Sequence, residues 1–272
     1  MSAPAAVPIT RRSAMVLALA SVAGLLMFLW PLVLQPSADA QRVDQPFLLL
    51  VLLPVVALVV LAELSEGGMD SKALAILGVL TAINAALRGL GAGTAGIEMV
   101  FFLLILAGRV FGPGFGYVLG CTTMFASALL TSGVGPWLPF QMLCSAWIGM
   151  GAGLLPRRVG GRAEIAMLAG YGIVCAYLFG MLMNLSSWPF LIGIDSGSLS
   201  FVPGDPVLEN LQRFLVYTLL TSTAGWDTGR AITNTLLIVI LGPALLTTLR
   251  RAARRARYLP PVDPAPERRP QL

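Results

Sequence analysis

From residue 13 to residue 34 the chain runs for about 22 positions without a charged side chain, and comparable runs recur along its length. As an α-helix, such a run is long enough to cross the ~30 Å hydrocarbon layer of a bilayer. In lipid every backbone N–H and C=O must be satisfied internally, so a chain made of these runs folds as packed transmembrane helices. Composition agrees, with 57% hydrophobic and 11% charged residues where a soluble domain carries about 25% charged. The expected fold is an all-α integral membrane protein.

Residues 1–12 form a short N-terminus ending in Arg11 and Arg12. Ala38-Asp39-Ala40 resembles a signal-peptidase site, but a signal core is only about 7–15 residues, so the first run reads as an uncleaved helix. Two N-terminal helices occupy 13–64, the second with Pro54 inside it. A hydrophilic break containing Glu66, Gly67, Gly68 and Asp70 makes 65–71 a linker, and Glu63 lies just before it. The two leading helices read as an appendage to the six-helix bundle over 72–249. Its spans are expected at 72–90, 96–110, 114–130, 136–155, 164–192 and 226–249. Residues 193–225 form a loop rich in turn formers, among them Asp195, Gly204 and Asp205, and then a half-helix over 210–223. At about 14 residues the half-helix reaches only ~21 Å. Residues 250–272 are a basic tail expected to be disordered.

Charge fixes the orientation. With eight spans, both termini are cytoplasmic, together with all of the 18 basic residues except Arg42, Arg88, Arg213 and Arg230. A ninth span at 210–223 would turn one end of the bundle against the positive-inside rule. That segment is therefore expected to lie at the outer interface or to re-enter it.

Several functions are excluded. The chain has no histidine, which removes HExxH metalloprotease and Ser-His chemistry together. Lys72, the only lysine, follows Ser71, so no P-loop can be drawn and any ATP must be bound by another subunit. No metal site or cofactor is expected, because Cys121, Cys144 and Cys175 each sit in an apolar run without a CxxC. Nucleic acid is not an expected partner either, since the basic residues cluster at chain ends and loops without interleaved aromatics. The carboxylates are scattered, so the chain reads as no enzyme.

The helix over 72–90 differs from its greasier neighbours. Gly78, Ala82 and Ala86 recur every four positions along one face, while Thr81, Asn84 and Arg88 fall on the opposite side. It is expected to pack against protein through the small face and to turn its polar face to a cavity. Gly112, Gly116 and Gly120, and Gly149 with Gly153, predict close helix packing elsewhere. Unusual residues gather at the outer helix ends: Asn84, Arg88, Glu98, Trp137, Gln141, Asn184, Trp188, Trp226, Asp227, Arg230 and Asn234. Polar and ionisable groups at membrane depth are costly and usually face a cavity or a partner. These residues are the candidates for a substrate chamber, with Asp195 and 210–223 as its lid. The plainer readings are interfacial tryptophans, an Asp227 helix cap with Arg230 one turn on, and an Arg88 that snorkels to the headgroups.

The succession ALAILGVLTAINAALRGLGAGTAGIE, GRVFGPGFGYVLG, GVGPWLPFQML and GWDTGRAITN resembles the substrate-specific S component of energy-coupling factor (ECF) transporters, the vitamin and micronutrient importers of prokaryotes. The resemblance covers roughly 72–257 and six spans; the two leading helices depart from it. It implies docking of Gly78, Ala82 and Ala86 on the coupling helices of a membrane T component. It also implies two partner ATPase subunits, and a vitamin-like substrate held near the outer face of a prokaryotic plasma membrane. Metal-specific members use an N-terminal histidine, so nickel and cobalt are not implied, while some members like this one are associated with cobalamin. The rival readings are a stand-alone secondary transporter and a non-catalytic membrane scaffold.

Overall fold

The computed structural model describes residues 5–7, 9–33, 45–66, 69–91, 96–188, 197–202 and 204–256. The expectations for Ala38-Asp39-Ala40, Arg42, Gly67, Gly68, Asp195 and the tail beyond Ala256 lie outside the described residues. The described residues form helices α1 (Arg11–Val33), α2 (Gln45–Glu66), α3 (Ser71–Gly91), α4 (Val100–Phe111), α5 (Pro113–Leu130), α6 (Leu138–Leu154), α7 (Gly161–Ser187), α8 (Val207–Thr218) and α9 (Thr228–Ala256). A 3-10 turn occupies Gly197–Leu199, and a π-helical stretch, Leu219–Asp227, joins α8 to α9. Among the described residues, five helices are long and apolar enough to cross a membrane, and Val100–Phe111 and Leu138–Leu154 are shorter apolar helices. The protein is an all-α membrane protein, as its sequence predicts.

The bundle is organised around α4. All 12 of its residues are buried, and apart from Arg109 it is apolar on every side, as a helix enclosed by other helices should be. Helices α3, α5, α6, α7 and α9 pack around it. The expected span from 96 starts at Val100, because Gly96 takes a φ of +79° and the chain up to Met99 is not helical. Lipid supplies no hydrophobic drive between helices, so close packing must hold them together. Glycine provides it: a Cβ at Gly108 or Gly116 would collide with the backbone of Gly149, and one at Gly120 with Ser145 and Ala146. Gly112 alone separates α4 from α5, at a φ of +113° that favours glycine.

The two leading helices are seated on the core rather than set apart from it. They pack on each other and on α5 and α6. Ser13 Oγ lies 2.6 Å from both carboxylate oxygens of Glu63, beside a Gly114 whose Cβ would overlap that carboxylate. Trp147 Nε1 donates to Ser21 Oγ at 3.0 Å, and the Phe28 ring meets Phe140 edge-on at 4.9 Å.

Two expectations change. The polar face of α3 turns onto α5 rather than along a cavity: Thr81 and Thr122 hydroxyls lie 2.9 Å apart, and Asn84 donates to Thr123 at 3.5 Å. Arg88 bonds Ser127 of α5 as well, and of these residues it alone also reaches a cavity. Its Gly78, Ala82 and Ala86 stripe is exposed, and nothing lies within 4 Å of a Cβ at Gly78. Second, 210–223 is no separate half-helix. Val207–Arg255 is one rod of 49 residues, or ~73 Å. The 29 residues of α9 already reach ~43 Å, so α8 continues beyond the ~30 Å hydrocarbon. There it packs against α1, α7 and the 3-10 turn, with Asn210, Phe214 and Thr218 inward.

Candidate functional site

At the end of the bundle away from Arg109 the helix ends enclose a cavity of about 520 Å³, within the ~300–1,000 Å³ usual for small-molecule sites. Its walls come from the last turns of α3 and α7, the stretch before α4, the turn between α5 and α6, and the π-helical segment leading into α9.

The stretch before α4 is held by α9. A Cβ at Gly96 would run into the backbone of Trp226 and Arg230, so glycine permits this approach. Asn234 then serves three backbone groups: its Oδ1 accepts from Phe102 N–H at 2.7 Å, and its Nδ2 donates to the carbonyls of Glu98 and Arg230 at 2.9 and 2.8 Å. Met99 offers α4 no side-chain cap, so Asn234 fills one of the open donors at that terminus from another helix.

Glu98 faces Arg230, whose Nε donates to Glu98 Oε2 and whose Nη1 donates to Asp227 Oδ1 at 2.7 Å and to the Ala176 carbonyl at 3.3 Å. The guanidinium sits 4.9 Å from the Phe179 ring centre and 5.7 Å from that of Phe101. Asp227 is wholly buried and also accepts from Ser222 Oγ at 2.9 Å. Residues five apart meet here because the winding is π, with its i→i+5 period. Gly180 makes room for the Asp227 carboxylate, which a Cβ there would overlap. One cation between two anions leaves this wall with net negative charge.

Arg88 forms another part of the wall. Its Nη1 donates to Ser127 Oγ at 2.8 Å and its Nη2 to Gln141 Oε1 at 3.0 Å, while its Nε has no partner. It turns into the bundle, not out to the headgroups. Around these walls stand Trp137, whose indole donates to the Gly133 carbonyl at 3.2 Å, with Phe179, Met183, Asn184, Tyr217, Thr221 and Trp226. Asn184 donates to Thr218 Oγ1 at 3.4 Å.

Of the residues singled out in the sequence, Arg88, Glu98, Trp137, Gln141, Asn184, Trp226 and Arg230 come together on the cavity wall. Four do not line it. Asn84 is buried against Thr123 of α5. Trp188 is buried under the 3-10 turn, donating to the Leu199 carbonyl at 2.9 Å and packing on Phe201 and Phe214. Asp227 and Asn234 stand behind the wall and hold Arg230 and Glu98 in place. Asp227 caps no helix, because the rod runs through it, yet its pairing with Arg230 one turn on is present. Sequence reasoning missed Phe179, Tyr217, Thr221 and Ser222 as lining residues; the last three lie in the segment taken for a lid. Among the described residues no group of three His, Cys, Asp or Glu could hold a metal ion, and all three cysteines are buried and free.

A helical membrane bundle with a polar, aromatic-walled cavity at one end has the architecture of a small-molecule binding component. The family model for the ECF transporter substrate-specific component matches residues 72–256, and the chain belongs to that family. It is thus a transporter subunit rather than an enzyme, of a kind that works with T and ATPase components. No curated protein and no solved structure matches the chain.

Proposed function

We propose that this protein captures a vitamin-like micronutrient in the cavity between Arg88 and Arg230, at the outer face of a prokaryotic plasma membrane. A membrane T component and two ATPase subunits then drive its release inside. The observation that carries this reading is the cavity itself, built from the ends of the family-matched helices and lying opposite the arginine-rich loops. The positive-inside rule assigns those loops, and both termini, to the cytoplasm. A cavity of about 520 Å³ suits a substrate smaller than a corrinoid; a cobalamin would have to project through its mouth. The exposed Gly78, Ala82 and Ala86 face of α3 is the docking surface for the T component.

Mass spectrometry of small molecules that co-purify with the full chain tests the cavity, read against a Trp226→Ala variant. The wild type should carry a compound that the variant loses. A compound held equally by both moves the site elsewhere. Uptake of that compound into vesicles should require the ATPase subunits; uptake on an ion gradient alone would make the chain a secondary transporter.

A further inference from the structure

We infer that the substrate carries an oxyanion, a carboxylate or a phosphate, and that Arg88 is the residue that takes it. The inference rests on the cavity being the substrate site. Its basis is an imbalance between the two arginines on the wall. Arg230 is matched, with Glu98 and Asp227 both in ion-pair contact. Arg88 has no carboxylate within 4.0 Å among the described residues. Its two partners, Ser127 and Gln141, are neutral, and its Nε–H is buried without an acceptor.

A guanidinium presents five donors in a rigid fork suited to carboxylate and phosphate. Two are used here, both on neutral groups, and Glu98, the carboxylate that acts on Arg88 across the cavity, is itself in contact with Arg230. The neighbouring amide adds to the effect. Arginine can only donate, so Gln141 must turn Oε1 toward it, and its NH₂ group remains as a further donor on the same wall. One side of the cavity is therefore donor-rich and positive, and the side holding Glu98, Arg230 and Asp227 is net negative. An anionic group has one place to sit. Trp137, Tyr217 and Trp226 then cover the rest of the molecule with aromatic surface.

The test is thermal unfolding of the purified full chain in detergent at constant ionic strength. The probes are benzoate, phenyl phosphate and the neutral benzamide at millimolar concentration. Benzoate or phenyl phosphate should raise the Tm where benzamide does not, and whichever protects more identifies carboxylate or phosphate as the group. Arg88→Gln should weaken that protection at least about tenfold, with Arg88→Lys falling between. Protection by benzamide equal to that by the anions overturns the inference, as does undiminished anion protection in Arg88→Gln, or no protection by either anion. If Arg88→Gln does not fold, the comparison of anions with benzamide on the wild type decides. Co-purified compounds separate this failure from failure of the cavity. A neutral compound lost from Trp226→Ala but kept by Arg88→Gln leaves the site standing and overturns the anion. A compound kept by both overturns the two together.

Discussion

The two ends of the bundle treat the same side chain in opposite ways. At the arginine-rich end Arg109 is 4% exposed and uses four donor contacts: its Nε to Glu164 at 2.7 Å, and its Nη atoms to the carbonyls of Leu155, Pro156 and Val159. Arg250 from α9 closes on both oxygens of the same Glu164 at 2.7 Å. The cluster clips α4, the α6–α7 turn, α7 and α9 together, and every nitrogen of Arg109 has a partner. At the cavity end Arg88 makes two contacts, both to neutral groups. The first arrangement is a closed structural clip, and the second is the one to which the proposal assigns a ligand.

The comparison breaks most severely at Glu164. Glu164→Ala leaves Arg109 buried with carbonyls as its only partners, and losing one member of a buried pair costs about 3–5 kcal/mol. Thermal unfolding in detergent should show a large drop in Tm or no folded protein. A variant that unfolds like wild type would mean that the clip is dispensable. Asn234→Ala comes next. It strands Phe102 N–H and the Glu98 carbonyl, at about 1–3 kcal/mol for each unsatisfied buried group. Ligand affinity should fall with it, because Glu98 loses its backbone anchor. Unchanged affinity for the co-purifying compound would show that α9 does not position the Glu98 wall.

These two residues also mark where the sequence was legible and where it was not. Small residues spaced by four announce close packing whatever their partner, so tight approach at Gly116 and at Gly149 was readable from pattern, though not that the two meet each other. The unusual polar residues at helix ends pointed to the end of the bundle where the cavity lies, because a costly group at membrane depth needs an explanation. Which of them would face the cavity was not readable. Asn234 and Phe102 are 132 positions apart, and no local rule pairs an amide in one helix with the open terminus of another. Tyr217, Thr221 and Ser222 were hidden for a second reason: the segment that carries them read as a lid over the cavity, whereas they stand in its wall. Length misled as well. A stretch of 14 residues reads as a half-helix only if it ends, and this one runs on into α9.

The smallest effect on stability is expected at α3, and it sharpens the contrast between surfaces that are finished and surfaces that are waiting. Ala82 and Ala86 are exposed, on the face away from Asn84 and the α5 contacts. Both side chains point away from the rest of the protein, so replacing either with tryptophan should change stability by no more than the ~0.5 kcal/mol usual for surface changes, read as a small shift in Tm. Binding of the co-purifying compound should also be unchanged, since neither side chain reaches the cavity. A small-residue stripe lets helix backbones approach closely, and an indole in that stripe holds a partner helix several ångströms away. Co-purification with the T component should therefore be lost in Ala82→Trp and Ala86→Trp while folding and ligand binding persist. A complex that survives both substitutions would place the docking surface on another face of the bundle. Loss of ligand binding along with the complex would show instead that the two ends of α3 are coupled through its contacts with α5.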